Sequence, residues 1–186
     1  YKIRKLMPHF KRSQFVAKEY NPIHLAYLAG IIDGEGCIHI GYYFNKSQNR
    51  STYHTMIQVS NTEKTLIEWL SNNFGGKAAL YTKAQTPKNS RQIPYVWKLG
   101  GDNLTHICRL VLPYMICKKD QIEIMIKMRE TFHDQHEPKK GQQGIQPMSQ
   151  KLIDYRHSLM LDLRSLHCRK GHSKDLLIPC ALSSSP

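Results

Sequence analysis

Residues 25–37 read Leu25-Ala26-Tyr27-Leu28-Ala29-Gly30-Ile31-Ile32-Asp33-Gly34-Glu35-Gly36-Cys37. The stretch predicts an apolar helix with small residues on one side. Ala26, Ala29 and Gly30 fall on neighbouring turns of one face, where two helix backbones can approach closely. The helix then runs directly into two acids set between glycines. A helix C-terminus already carries partial negative charge, so carboxylates gathered there are disfavoured unless something cationic lies nearby. A divalent metal meets that need. A tight pair of such helices would bring two Asp-Gly-Glu-Gly ends side by side. The stretch occurs once, so the second copy must come from another chain, which a two-fold dimer supplies. The competing reading is a helix packed within its own chain and capped by Gly34 or Gly36.

Working outward, Asn21 can cap this helix and Pro22 suits its first turn, so the helix is predicted from there to about Asp33. From Cys37 the period changes to two. Ile38, Ile40, Tyr42 and Phe44 alternate with Cys37, His39, Gly41, Tyr43 and Asn45, the pattern of a strand with one apolar and one polar face. After a turn-like Lys46–Ser51, a second strand alternates from Thr52 to Ser60. Ser60-x-x-Glu63 reads as a capping box opening a helix with Leu66, Ile67, Leu70 and Phe74 inward. Gly75-Gly76 stops it. Residues 77–83 and 93–99 form a second predicted hairpin around a polar loop. A helix with Leu104, Ile107, Cys108 and Val111 follows, then Pro113, then a helix over about 118–132. Leu152, Tyr155, Leu159, Leu163 and Leu166 repeat at helical spacing near the end.

The predicted order is αββαββα plus appended C-terminal helices, an α+β class in which helices cover one face of an antiparallel sheet. The division expected is a basic N-terminal arm (1–20), a core (21–133), a linker or surface loop (134–150), and a C-terminal helix and tail (151–186). The uncovered sheet face carries His, Tyr, Asn, Gln and Lys. A β-ribbon fits the major groove of DNA, so this face is a candidate groove reader.

Composition agrees with that direction. The chain has 27 Lys+Arg against 14 Asp+Glu, a net charge of +13. Such an excess calls for a polyanionic partner. The basic residues are spread over many segments and form no single amphipathic basic helix, which favours nucleic acid over a membrane surface. No apolar run approaches the ~20 residues needed to cross a bilayer. There is no signal-peptide core, although the chain opens at Tyr1, so a targeting segment ahead of it stays open. Five cysteines, an odd count, fit reduced thiols inside a cell, whether organelle or nucleoid.

Leu28-Ala29-Gly30-Ile31-Ile32-Asp33-Gly34-Glu35-Gly36 resembles, nearly letter for letter, the signature of the LAGLIDADG homing endonucleases. A second similarity lies in Leu112–Gln121, LPYMICKKDQ, a Leu-Pro-aromatic segment leading to a basic residue and a Gln. The resemblance covers roughly 21–132 and is of the single-motif, homodimeric type. It implies a double-stranded DNA partner and a staggered cut in a long, roughly palindromic target, with Mg²⁺ or another divalent metal as cofactor. Glu35 matches the metal-binding acid, where many members carry Asp, and the Gly34 carbonyl is a further candidate ligand. Asp33 matches the earlier acid, which shapes the turn and, with Ala26, Ala29 and Gly30, the dimer interface. Lys118 matches the basic pocket residue, and Asn61 matches a polar residue, often Gln, after the second strand. Some members have an Arg shortly after; this chain has Lys64 or Thr65. Two other functions fit the same scaffold: an RNA-splicing maturase acting on intron RNA, and a non-cleaving DNA-binding regulator.

For DNA reading, the candidates on the first hairpin are His39, Tyr43, Asn45, Thr52, His54 and Gln58. On the second they are Lys77, Tyr81, Lys83 and Lys98. Gln48, Arg50, Lys88, Arg91 and Gln92 sit at the hairpin tips. Asn and Gln can contact adenine, and Lys or Arg can contact guanine or phosphate. Two other groupings are weaker. Cys168, His172 and Cys180, with His167, hint at zinc but fit no common module. His133 and His136 fall in a loop.

Overall fold

The computed structural model describes residues 19–48, 50–81, 93–132 and 148–167. Helix α1 (Pro22–Glu35) starts as predicted: the Asn21 side chain accepts the Ile23 N–H at 2.9 Å, and Pro22 occupies the first turn. It ends two residues later than predicted, so both acids lie within its last turn. Leu25, Leu28, Ala29 and Ile32 are buried, the i, i+3, i+4, i+7 stripe of a core-facing helix.

Strands β1 (Gly36–Asn45) and β2 (Arg50–Asn61) follow, then α2 (Lys64–Phe74), β3 (Lys77–Leu80) and β4 (Tyr95–Gly100). Helices α3 (Gly101–Val111), α4 (Lys119–Glu130) and α5 (Gln150–His167) complete the described chain. The sheet order is β1-β2-β4-β3, with every neighbouring pair antiparallel. The α+β order predicted from the sequence is the order observed. Ile38, Ile40, Ile57, Val59, Trp97 and Leu99 line one sheet face, buried against the helices. The chain passes tightly from α2 to β3 beneath Trp97, whose indole N–H donates to the Gly75 carbonyl at 2.6 Å. Gly76 sits there at φ +84, and a Cβ would lie 2.5 Å from the Lys98 carbonyl oxygen. Only glycine meets both conditions.

Two local expectations are corrected. The Ser60 capping box does not form, because β2 continues through Ser60 to Asn61. The cap of α2 is Glu63, whose carboxylate accepts the Thr65 N–H at 3.1 Å, while Asn61 Oδ1 accepts the Glu63 N–H at 2.8 Å. Tyr42 and Phe44, assigned to the apolar face, remain about 40% exposed. There the β1–β2 ribbon is covered by α5: the Tyr53 hydroxyl donates to the Ile153 carbonyl, and the Tyr42 ring meets His157 edge-on. The predicted C-terminal helix, α5, packs on the main core. Leu159, Met160 and Leu163 join the same core as α1. Arg156 is 2% exposed, donates to Thr131 Oγ1 and to the Thr131 carbonyl, and stacks on Phe132. A buried guanidinium with its donors matched fixes where α5 lies.

Candidate active site and nucleic-acid interface

The end of α1 is organised by a side chain from 85 residues further along the sequence. Asp33 Oδ2 accepts the Ile116 N–H at 2.8 Å, and Oδ1 accepts the Lys118 N–H at 2.9 Å. In return the Lys118 ammonium donates to the carbonyls of Ile32 and Gly36, each at 2.8 Å. The Ile32 carbonyl also accepts the Gly36 N–H, so the ammonium adds a second bond at the helix C-terminus, where a cation is favoured by the helix dipole. Burial works to raise the Asp33 pKa. The backbone N–H groups of Ile116, Lys118 and Cys117, with the Lys118 charge, outweigh it and hold the carboxyl below its ordinary value. The cation that the acidic helix end requires is thus partly supplied by the chain itself. That leaves Glu35 as the acid with an outward-facing carboxylate. It is exposed, and its Oε2 accepts an N–H of the Asn61 amide at 3.0 Å. Asn61 therefore contributes twice, with its oxygen to the α2 turn and its nitrogen to Glu35. Gly34, also exposed, lies in the last turn, beyond Ile32, whose carbonyl accepts the Gly36 N–H that closes the helix.

The outward face of α1 differs from the sequence expectation in one residue. Ala26 and Gly30 are exposed, but Ala29 is fully buried in the chain's own core, because it lies on the stripe with Leu25 and Ile32. Gly34 takes its place on the outer face at the i, i+4, i+8 spacing with Ala26 and Gly30. At both Gly30 and Gly34 a Cβ would meet nothing within 4 Å. A shallow groove of about 390 Å³ runs along this face, lined by Ala26, Tyr27, Gly30, Ile31, Gly34, Glu35 and Leu66. Ile23 and Tyr27 are exposed on the same helix.

The polar sheet face presents the predicted hairpin residues together. Cross-strand pairs His39–Met56, Gly41–His54, Tyr43–Thr52 and Asn45–Arg50 line β1 and β2. Gln58 continues to Lys98 and Lys98 to Lys77 across β4 and β3. Tyr43, Thr52, His54 and Lys77 are exposed. The His54 ring lies over Gly41, where a Cβ would be 1.9 Å from it, and 5.4 Å from His39 between ring centroids. Gln58 and Ser60 hydrogen-bond the Tyr81 hydroxyl. Asn45 Oδ1 accepts the Ser47 hydroxyl, and Arg50 lines a hollow with Tyr53 and Arg156. Gln48 lies in a short helical turn between β1 and β2. Lys64 is exposed and pairs with Glu68 at 3.2 Å, and Thr65 is engaged by Glu63. Lys83, Lys88, Arg91, Gln92, His133, His136, Cys168, His172 and Cys180 lie outside the described residues.

One contribution escaped the sequence. The last turn of α5 brings Arg164 and His167 towards His39 and Lys118. Burial, then the charges of His54, Arg164 and His167, hold the His39 pKa low. Burial and then Lys118 do the same for His167. No local pattern in 150–167 signals this neighbourhood, since it depends on how α5 crosses the sheet.

No protein-family model and no curated protein matches this chain. Solved structures do. The archaeal intron-encoded homing endonuclease I-Vdi141I, complexed with DNA, shares 17% identity over 83% of this chain and 90% of its own, with a TM-score of 0.61. The homing endonuclease I-CvuI, in complex with its target in the presence of Ca, shares 14% over 80% of this chain and 85% of its own, with a TM-score of 0.60. The LAGLIDADG homing endonuclease I-GzeII, in complex with its DNA target, shares 18% over 80% of this chain and 44% of its own, with a TM-score of 0.52. The fold is that of the LAGLIDADG homing endonucleases. Among the described residues, no helix is long and apolar enough to cross a membrane.

Proposed function

We propose that this chain is a site-specific DNA endonuclease of the homing type. It acts as a homodimer on a long, roughly palindromic target and makes a staggered double-strand cut with Mg²⁺ or another divalent metal. The observation that carries the reading is Glu35, an exposed carboxylate oriented by Asn61, at the end of a helix whose outer face carries Ala26, Gly30 and Gly34 in one row. Two such helices, packed face to face, would set two Glu35 carboxylates beside each other, one for each strand.

The donors fit a hard cation, but one chain does not complete its shell. Glu35 and the Gly34 carbonyl are oxygen ligands of the kind Mg²⁺ prefers. Among the described residues, no three His, Cys, Asp or Glu side chains converge to hold a metal. The remaining ligands would come from the partner copy and from phosphate oxygens. A divalent cation bound there would activate water and offset charge building on the phosphate. Asn61 orients Glu35, while Lys118 and Asp33 fix the helix end that carries it. The polar sheet face lies beside this centre and supplies groove and phosphate contacts. I-Vdi141I and I-CvuI, which share the fold, are described with DNA bound. An RNA-splicing maturase would use the fold without needing Glu35, and a non-cleaving regulator likewise. The acid held outward at the helix end favours cleavage.

The test is Glu35→Gln, which keeps the shape and removes the charge. With a cleavable site selected from a randomised duplex library, the parent should cut both strands in Mg²⁺. Glu35→Gln should lose cleavage and retain or improve DNA affinity, because a carboxylate no longer faces phosphate. Near-normal cleavage by this variant would sink the assignment.

A further inference from the structure

We infer that Tyr81 is a positioning residue for base recognition: its hydroxyl holds the Gln58 carboxamide so that the amide oxygen is presented to adenine in the major groove. The inference rests on the DNA-reading role given above to the polar sheet face.

Gln58 sits at the middle of that face, paired across the sheet with Cys37 on one side and Lys98 on the other. Its Nε2 donates to the Tyr81 hydroxyl. A second contact to Ser60 Oγ, at 3.5 Å, is at the outer limit of a hydrogen bond. No described residue donates to Gln58 Oε1. The amide therefore spends a donor on the protein and keeps its acceptor, the half of the pair that reads an exocyclic amine. With the N–H that here makes only this long contact to Ser60, that is the arrangement a glutamine uses on the N6 and N7 edge of adenine.

Tyr81 is built to reach this point. Its backbone N–H donates to the Pro94 carbonyl at 3.0 Å, which ties it to the sheet just beyond β3. Ala79, two residues earlier on the same face, pairs with Val96, which pairs in turn with Ser60. Tyr81 shares the face of Ala79, and its hydroxyl contacts Ser60 Oγ at 3.2 Å. The ring must therefore cross above Val96. Val96 is only 3% exposed although it lies on the otherwise polar face, as such a cover requires. The small Ala79 leaves the space. A glutamine has three rotatable bonds to order before it can read a base. Here an aromatic anchor from another strand orders the amide in advance, which sharpens recognition by removing misdirected orientations.

The experiment is selection of bound sites from randomised duplex DNA by the full chain, the Tyr81→Phe and Gln58→Ala variants, and the double variant. The parent should enrich adenine at one position per half-site that Gln58→Ala no longer distinguishes. Tyr81→Phe keeps the ring over Val96 and should show the parent's melting temperature. Its adenine enrichment at that position should fall about five- to tenfold, in the range of one bidentate base contact. The double variant should match Gln58→Ala. If Tyr81→Phe keeps the parent's profile, or shifts another position equally with and without Gln58, the positioning role is overturned while DNA reading stands. A parent that enriches no sequence overturns the DNA-reading assignment, and this inference with it.

Discussion

Asp33 and Lys118 hold each other across the end of α1. The carboxylate accepts the Lys118 backbone N–H at 2.9 Å, and the Lys118 ammonium returns 2.8 Å bonds to carbonyls on either side of Asp33. The pair ties the Leu112–Lys118 segment to the helix that carries Glu35. It also separates two functions the sequence bundles together: Asp33 serves the fold, and Glu35 faces solvent.

Lys118→Met should therefore cost stability as well as activity. It removes a charge from a helix C-terminus, takes that donor from the Gly36 carbonyl and leaves the Ile32 carbonyl with only the Gly36 N–H, a loss of about 1–2 kcal/mol. Urea unfolding should show the drop for Lys118→Met and none for Glu35→Gln, whose carboxylate is exposed. Equal stability of parent and Lys118→Met would remove the clasp from the account.

Asp33 also sets a pH dependence. Its folded-state pKa lies below its ordinary value, so the unfolded chain binds that proton more tightly. Its contribution is fully present above the unfolded value of about 3.9 and is lost as pH falls through the folded value. Thermal melts should place the parent above Asp33→Asn near neutrality, with the gap closing in acid. A gap independent of pH would contradict the charged hydrogen bonds as its source.

The proposed dimer can be tested without touching the core. A Cβ at Gly30 meets nothing in its own chain, so Gly30→Leu leaves intramolecular packing intact while forcing a partner helix away. Sedimentation should give the parent a mass near twice 21.6 kDa. Gly30→Leu should retain its helical circular dichroism and run as the smaller species. A parent that stays monomeric on DNA yet cuts both strands would refute the arrangement.

Binding should weaken steeply with salt, as a net charge of +13 implies. Log affinity should fall against log salt with a slope of about −0.9 for each phosphate neutralised. Lys77→Ala, on the exposed sheet face, should lower the slope by about one such contact. A flat response on specific DNA would exclude this face as the binding surface.

Periodicity determined most of this architecture in advance. The 3.6-residue stripe of α1 and the period of two in β1 and β2 each follow from a few neighbouring residues. So do the glycine pairs that end α2 and β4. The acidic helix end and the small outer face of α1 were legible for the same reason. What the tertiary structure alone decided involves residues far apart in the chain. Ala29 turned inward because the whole buried stripe fixes the rotation of α1, which no single small residue reveals. Ser60 lost its cap because pairing with Val96 drew it into the sheet. The helix-end cation proved to include Lys118, brought across 85 residues by the packing of α3 and the Leu112–Tyr114 turn on α1. Tyr81 met Gln58 because strand order places β3 beside β4 and β4 beside β2. Local sequence carries propensity and amphipathic period, which are short-range. Charge neutralisation and side-chain partnership depend on distance in space, and only the folded chain sets that.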